Sequence, residues 1–400
     1  MMGRIGRIAI VGAGPAGLTA AIVARRLGLE AVVYEQAPEL ARIGGGIAIQ
    51  NNGRRVLDAV GLLSGFAARM ATAHTIAIEG PGGRRYATLD YGALRVPFPR
   101  FAVVLRADLQ EHLLLGAVSA GVRVEFGRRC TEVARQGRDI ALHFADGSAA
   151  ESSVVLAADG VHSAVRAGCG FGGVPRSIGE AALRGVVERP TTGGIVREIW
   201  LDDGRLFGIA PLSQGRTYFY CSAPLRRWEE TVREVGPWID GWCAALPEAG
   251  EILGAVSDWT SVSYDELREV TVRRWWGGGC FLLGDAAHAM TPNLGQGANS
   301  AMVDAIVLVR LLHAALRGNG SFDDVGRRYE GVRRSFVRRV QTASRLMSHV
   351  ASWRSPAARF LRRSMLAAGE LTERVTPAGL RLGAGHNPRE ESYLRPIADG

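Results

Sequence analysis

The chain has 400 residues, of which 47% are hydrophobic, and its formal net charge is +9. This length favours two domains over one. None of the 48 basic residues is a lysine, which excludes Schiff-base, pyridoxal-phosphate and Walker-type phosphate chemistry. The arginines are spread along the chain, so we expect a diffuse basic surface and no nucleic-acid partner. Five cysteines without a C-x-x-C pair indicate neither a disulfide framework nor a metal site, and favour reduced thiols in the cytoplasm.

The first motif lies near the N-terminus. An apolar strand pattern from Arg7 to Val11 leads into a G-x-G-x-x-G loop and a helical pattern that ends at Gly28. The loop's glycines permit a tight turn, close approach of a pyrophosphate, and close packing of helix on strand. A second strand then ends in Glu35, where an acid binds adenosine ribose hydroxyls. The dinucleotide-binding residues predicted here are Gly12, Gly14, Pro15, Ala16, Gly17, Glu35 and Gln36.

The apolar run from Ile8 to Ala24 resembles a signal peptide, because Arg4 and Arg7 precede it. It contains the nucleotide-binding loop, so we expect it to be retained. Apart from this run, the sequence predicts no segment long enough to cross a bilayer.

Two further stretches have the composition of ligand-binding loops. Residues 154–166 form an apolar strand followed by Asp159-Gly160 and a short polar turn ending at Arg166. Residues 280–304 read as strand, loop and helix, with Asp285 placed to accept hydrogen bonds from sugar-like hydroxyls. Gly295 and Gly297 let the backbone approach a ligand, and the helix start directs its positive end towards it.

Together these motifs resemble the class A, single-component FAD-dependent monooxygenases, the group typified by the aromatic hydroxylases. The resemblance rests on residues 284–297 (GDAAHAMTPNLGQG), on the intact A-D-G-x-x-S-x-V-R run at 158–166, and on the first loop. It implies noncovalent FAD, with NADPH or NADH and O2 as co-substrates. It also implies an α/β fold: a Rossmann-like, three-layer FAD-binding domain with a parallel sheet and a β-meander, an antiparallel-sheet substrate domain, and C-terminal helices.

The family's functional positions map onto this chain one by one. Asp285 would bind the ribityl chain, and the loop and helix start would hold the pyrimidine edge of the isoalloxazine; the residues are Pro292, Gly295, Gln296, Gly297, Ala298 and Asn299. Arg106 and Gln110, at the start of a predicted helix through Val118, would lie near the phosphates and ribityl chain. Asp159 would touch the pyrophosphate region and contribute to NAD(P)H binding.

A Gly-rich turn follows Glu35 in the chain. The family places an arginine and a glycine beside the flavin here, which implies these roles for Arg42 and Gly46. The alternative is that Arg42 is a solvated surface arginine, because sequence does not distinguish a ligand-binding arginine from a surface one. Where many members have Pro-Asn, this chain has Asn51-Asn52, which leaves the local turn open.

The substrate domain is predicted from alternating patterns, with strands at 181–188, 195–201, 206–210 and 217–221 and a helix over 228–246. Tyr218 and Tyr220 share one face of their strand, opposite Phe219 and Cys221. One of these faces lines the substrate pocket, and we predict Tyr218, Tyr220 and Pro292 as substrate contacts. Core packing is the alternative role for each aromatic side chain of this strand.

We predict three regions: a discontinuous FAD-binding domain (1–75, 98–172 and 269–355), a substrate-binding domain (76–97 and 173–268), and a C-terminal helix and tail (356–400). Two basic helices, from Phe322 and from Ala357, read either as solvated helix faces or as a membrane or partner surface. The solvated reading fits ordinary packing better. The tail is predicted from Gly383 onward.

The predicted function is hydroxylation of an aromatic or other electron-rich hydrophobic molecule through a flavin C4a-hydroperoxide, by analogy with the family. The catalytic contribution of the chain is the flavin-positioning loop Pro292, Gly295, Gln296 and Gly297, with no side-chain base assigned; His288 reads as loop support. Two alternatives stay open: a flavin-dependent reductase or dehydrogenase of the same superfamily, or a non-catalytic flavoprotein that shelters an aromatic intermediate. The sequence makes no prediction of substrate identity or oligomeric state.

Overall fold

We describe the fold from a computed structural model over residues 7–40, 45–137, 139–191, 193–226, 234–318, 320–371 and 376–397, leaving out the side chains of 368–371 and 376–377. Its α-helices span Pro15–Arg26, Asn51–Ala59, Leu63–Phe66, Arg106–Ser119, Ala164–Gly168, Val235–Cys243, Gly250–Leu253, Asp285–His288, Gly297–Arg317, Phe322–Ala351, Pro356–Leu371 and Thr376–Gly383.

A six-stranded central sheet organises the first layer. The strands run in the spatial order Trp276–Gly277, Cys280–Leu282, Val154–Ala157, Ile8–Val11, Ala31–Tyr34 and Arg123–Glu125. All neighbours are parallel except the first pair. The inner strands are apolar at every position because helices cover one face of the sheet and a meander covers the other. The predicted Rossmann-like, three-layer class is confirmed.

The meander has the strands Cys130–Gln136, Asp139–Phe144 and Ala149–Ser152, paired antiparallel. Its second hairpin turns at Asp146-Gly147. Gly147 has a φ of +83°, a conformation that glycine adopts without strain.

A seven-stranded sheet, here called the roof sheet, forms the second layer. Its strands lie in the order Val262–Glu269, Arg176–Val187, Arg216–Pro224, Leu206–Leu212, Ile195–Trp200, Thr75–Glu79 and Arg85–Asp90. The sheet is antiparallel except that Thr75–Glu79 runs parallel to Ile195–Trp200. That pair joins strands from two separate parts of the chain. The exact domain boundaries stay a prediction.

The two faces of the roof sheet have different neighbours. Phe219 and Cys221 pack beneath the helix Val235–Cys243, against Trp238 and Trp242. Of the helix predicted over 228–246, the structure has Val235–Cys243, and residues 227–233 lie outside the described part. Tyr218 and Tyr220 are on the opposite face, towards the first layer. This face meets a small sheet of Gly46–Ile49, Phe101–Leu105 and Ala71–Ala73.

The C-terminal region differs from the prediction of a free tail after Gly383. Residues 384–397 turn back onto the first layer, where Glu390, Leu394 and Ile397 are buried. The Ile397 amide donates to the Ala59 carbonyl at 3.0 Å. The prediction was wrong because this segment has no periodic apolar pattern and is held instead by single contacts to distant residues.

The helix Gly297–Arg317 is the one described helix long and apolar enough to cross a membrane, with a mean hydropathy of 1.4 over its best window. It packs against Pro15–Arg26 and Phe322–Ala351, and 72% of that window is buried inside the protein. This is the placement of a core helix.

Candidate active site

The first loop has the three glycine environments that dinucleotide binding requires. Gly12 has a φ of +103°, and a Cβ there would lie 2.3 Å from the Ala158 carbonyl oxygen. A Cβ on Gly17 would lie 1.9 Å from the Gly12 carbonyl oxygen. A Cβ on Gly14 would meet no heavy atom within 4 Å. Gly12 and Gly17 are thus needed for the fold, whereas Gly14 borders open space where a pyrophosphate would pass.

That space is a cleft of about 630 Å³ along the carboxyl ends of the central strands. Glu35 lies on its wall and accepts hydrogen bonds from the Ala13 and Ala37 amides at 2.6 and 2.9 Å. The Gln110 side chain donates to the Ala13 carbonyl at 2.9 Å. Seven predicted residues line the cleft together: Gly12, Gly14, Glu35, Gln36, Arg106, Gln110 and Asp159. Pro15 and Ala16 lie just behind it in the first turn of the helix.

Asp159 has one carboxylate oxygen in use and one without a partner. Oδ2 accepts from the Val165 amide at 3.1 Å, and Oδ1 has no hydrogen-bond partner. Burial raises the pKa of this carboxyl, although Ser163 and the Val165 amide oppose the shift. An unpaired acceptor in a cleft of this shape fits a hydroxyl or amide donor from a bound ligand.

Asp285 follows the neighbouring central strand. It is exposed, and no donor to its carboxylate is found among the described residues. Desolvation by the surrounding protein raises the pKa of the Asp285 carboxyl, and the charges of His288 and Arg106 oppose this shift in part. Because the strands before Asp159 and Asp285 pair directly, both carboxylates lie at one edge of the central sheet.

The loop Pro292–Asn299 is fixed to the small sheet by the side chain of Asn299. The Asn299 amide nitrogen donates to the carbonyls of Ala48 and Gly295 at 2.8 and 2.6 Å, and its oxygen accepts from the Gln50 amide. Gly295 is left-handed, with a φ of +60°. The Asn299 side chain is therefore occupied in holding the loop Pro292–Asn299 against the small sheet.

Gln296 is also fully occupied by the protein. Its side chain donates to the Gly383 carbonyl at 2.7 Å and accepts from Asn52 at 3.0 Å. Asn52 is the second residue of the Asn51-Asn52 pair, and the sequence did not identify this role. Of the predicted loop residues, Pro292 is exposed and Ala298 is half-buried, while a Cβ on Gly297 would meet open space.

A buried ionic network supports the same loop and was missed at the sequence level. Asp304 accepts from the Gly284 amide at 3.0 Å, from His288 at 2.6 Å and from Arg333 at 2.6 Å. Arg333 also binds Glu390 and the Ser300 carbonyl. Burial would raise the pKa of Asp304, but His288 and Arg333 outweigh it and hold the pKa below its usual range. A charged residue within the apolar run Ala301–Val309 is the one sequence signal for Asp304.

Two arginines near the site are buried. Arg333 is fully buried, whereas the sequence places it on a solvated helix face. Arg166 is buried too, and its guanidinium donates to the Ala286 and Val161 carbonyls. Arg166 therefore joins two motif segments and is not free to bind a phosphate. Arg42 lies outside the described residues.

The inner face of the roof sheet carries two tyrosines, and one of them packs on the strand Gly46–Ile49 beside the loop Pro292–Asn299. A Cβ on Gly46 would lie 2.5 Å from the Tyr218 ring, and Ala48 on the same strand lies beside Gly295. Tyr218 and Tyr220 stack with ring centroids 5.4 Å apart, and the Tyr220 hydroxyl donates to Glu198 at 2.8 Å. Gly46 thus faces the roof and not the cleft.

Tyr91 and Leu380 complete this apolar cluster, so the C-terminal helix Thr376–Gly383 contributes a wall. Burial raises the pKa of Tyr218 to about 12, so its phenol stays protonated at neutral pH. Over the described residues, the architecture is that of a protein with one dinucleotide-binding fold beneath the roof sheet.

Comparison with known proteins agrees with this class. The family model described as "FAD binding domain" matches residues 7–344. The 3-amino-4-hydroxybenzoate 2-monooxygenase PtmB3 of Streptomyces platensis is 35% identical over 362 residues, covering 86% of this chain and 88% of that protein. The 6-hydroxynicotinate 3-monooxygenase of Bordetella bronchiseptica is 29% identical over 379 residues, covering 87% and 91%.

Among solved structures, Klebsiella pneumoniae HpxO complexed with FAD and uric acid superposes with a TM-score of 0.82 at 25% identity, covering 96% of this chain and 97% of that one. The chain belongs to the FAD-binding domain family, and within it to the class A FAD-dependent monooxygenases of the aromatic hydroxylase type.

Proposed function

We propose that the chain uses NADPH or NADH to reduce its FAD and hydroxylates a small aromatic substrate, in the cytoplasm. The observation that carries this proposal is the stacked pair Tyr218 and Tyr220 of the roof sheet: Tyr218 packs on the strand Gly46–Ile49, and that strand contacts the loop Pro292–Asn299. Two aromatic rings in an apolar wall favour a planar, electron-rich ligand. The names of the bacterial relatives, which act on an aminohydroxybenzoate and a hydroxynicotinate, support the same substrate class.

The described residues fit FAD. Gly14 leaves room for the pyrophosphate, Glu35 would bind the adenosine ribose, and Arg106 offers a guanidinium to the phosphates. The unpaired Oδ1 of Asp159 and the exposed carboxylate of Asp285 offer acceptors for hydroxyl donors. When bound, the flavin supplies the hydride acceptance and oxygen activation that no side chain can supply.

The loop from Pro292 to Asn299 prepares the reaction by electrostatics. The helix Gly297–Arg317 begins at this loop, and its first-turn N–H groups lack partners within the helix. Their positive end would stabilise negative charge at the pyrimidine edge of a reduced flavin. Asn299 and Gln296 keep the loop in this position through the hydrogen bonds described above.

The substrate would lie between this loop and the tyrosine pair, with Pro292 at the contact. The surrounding apolar side chains, among them Tyr91, Leu212 and Leu380, keep water from the reacting centre. His288 is not a general base in this scheme, because it is buried on Asp304. NAD(P)H would approach from solvent, past the exposed His162 and Arg129 at the cleft.

A screen of phenols, aminophenols and hydroxylated heteroaromatic acids tests the proposal. Each compound is added to the FAD-loaded protein with NADPH or NADH, and nicotinamide oxidation, O2 uptake and product mass are followed. We expect a stimulating compound to gain one oxygen atom. A compound that is reduced without O2 uptake would establish the reductase alternative. Aromatic ligands that bind tightly but stimulate no oxidation would indicate a sheltering protein.

A further inference from the structure

A second cavity, of about 480 Å³, lies on the meander side of the central sheet and shares no lining residue with the cleft or with the loop Pro292–Asn299. The thiols of Cys169 and Cys280 are both on its wall and share a hydrogen bond, with the sulfurs 3.0 Å apart. Both are free thiols. Neither belongs to the machinery assigned above, so the proposed function leaves this pair unexplained.

The two cysteines belong to the segments that carry the flavin motifs. Cys280 opens the strand that leads to Asp285. Cys169 follows the helix Ala164–Gly168, whose first turn is bound by Asp159. They are 111 residues apart in sequence. A covalent bond between them would therefore tie one FAD-binding segment to the other.

The surroundings of Cys169 favour its thiolate. The hydrogen bond shared with Cys280 lowers the pKa of Cys169, with Arg135 acting in the same direction; burial and Asp159 oppose them. The same hydrogen bond raises the pKa of Cys280. Cys169 is half-buried while Cys280 is 3% exposed. Arg273, Arg274 and Arg135 also line the cavity, so anions and small polar oxidants can enter it.

We propose that Cys169 and Cys280 form a peroxide-sensitive pair that is converted reversibly to a disulfide. The Cys169 thiolate attacks one oxygen of hydrogen peroxide; the S–O bond forms, the O–O bond breaks, and hydroxide leaves, giving a sulfenic acid. The Cys280 sulfur then attacks this sulfur; the S–S bond forms, the S–O bond breaks, and the hydroxide leaves as water with the Cys280 proton. Two thiols and one peroxide thus give one disulfide and two waters.

Peptide mapping of the FAD-loaded wild-type chain tests this directly. Protein freed of reductant is treated with a small excess of hydrogen peroxide, its remaining thiols are alkylated, and it is digested without reduction. We expect a cross-linked peptide containing Cys169 and Cys280. The intact chain, weighed before alkylation, should lose about 2 Da, and dithiothreitol should reverse both changes. Flavin absorbance checks that the protein stays folded during treatment.

Single variants establish the order of the steps. In Cys280→Ser, Cys169 should accumulate as a sulfenic acid that dimedone traps. In Cys169→Ser, Cys280 should remain alkylatable. Cys243→Ser, which changes a half-buried thiol elsewhere, is the matched control and should form the cross-link as the wild type does. The proposal is overturned if all five wild-type thiols remain alkylatable, or if Cys169 is over-oxidised without any cross-link while Cys280 is present.

Discussion

Replacing Arg333 with methionine should destabilise the protein more than any other single arginine change on its helix. Arg333 is fully buried and binds Asp304, Glu390 and the Ser300 carbonyl. Burial would lower the pKa of this guanidinium, but the two carboxylates raise it. Methionine keeps most of the side-chain volume, so the loss is mainly electrostatic: two carboxylates remain buried without their cation.

Removing one partner of a buried ion pair costs about 3–5 kcal/mol. This is a large share of the roughly 5–15 kcal/mol that stabilises a typical protein. Asp304 also holds the Gly284 amide, directly before Asp285, so we expect weaker FAD binding as well. Urea unfolding of the FAD-loaded protein, together with FAD titration of apoprotein, measures both effects.

Arg338→Met is the matched control, because Arg338 is exposed on the same helix, and it should change the unfolding midpoint little. Adding Glu390→Gln to Arg333→Met should recover part of the loss, since one of the two uncompensated charges is removed. A change below about 1 kcal/mol for Arg333→Met, the level of an exposed pair, would refute the reasoning.

The other predictions concern the cofactor and co-substrate sites. Gly14→Ala should leave folding intact and block FAD, because its Cβ projects into open space, whereas Gly17→Ala should lower the melting temperature of apoprotein; equal melting temperatures would contradict this. Asp285→Ala should weaken FAD binding by roughly tenfold to a hundredfold, the value of a hydrogen bond to a charged group, while His288→Ala should mainly reduce stability. A larger affinity loss for His288→Ala, measured by FAD titration on folded protein, would reverse these roles. Asp159→Asn should stabilise apoprotein at neutral pH, because burial raises the pKa of Asp159 in the folded state. The ionised carboxylate therefore destabilises the fold once the pH rises above its pKa in the unfolded chain. In thermal unfolding at lower pH, the extra stability of Asp159→Asn over the wild type should vanish. The Michaelis constant for NAD(P)H should rise with salt, since the Debye length falls from about 10 Å at 0.1 M to about 3 Å at 1 M; stopped-flow reduction indifferent to salt would indicate a buried site.

The elements around the cofactor could be predicted because their signals are local. The first loop, the strand before Asp159 and the segment around Asp285 each combine an apolar strand with a glycine-rich turn, and the structure places all three at one sheet edge. The pairing of side chains across the chain could not be predicted in this way. Arg333 and Glu390 are 57 residues apart, and neither position has a periodic pattern that points to the other.

The roles of the loop side chains also needed the structure. Gln296 and Asn299 are polar residues in a ligand-binding motif, so the sequence favours contact with the flavin. Their hydrogen bonds go instead to Asn52, Gly383, Ala48 and Gly295. Similarly, alternation placed Tyr218 and Tyr220 on one face but left open which face is the inner one, because strands of the roof sheet are covered on both sides.

Turnover under isotopically labelled O2 tests the central claim most directly. The FAD-loaded protein is supplied with NADPH or NADH and a stimulating aromatic compound, and the product is analysed by mass spectrometry. Monooxygenation predicts one labelled oxygen atom in the aromatic product for each nicotinamide oxidised in coupled turnover. A product that carries oxygen from water, or one that gains hydrogen while O2 stays unconsumed, would contradict it.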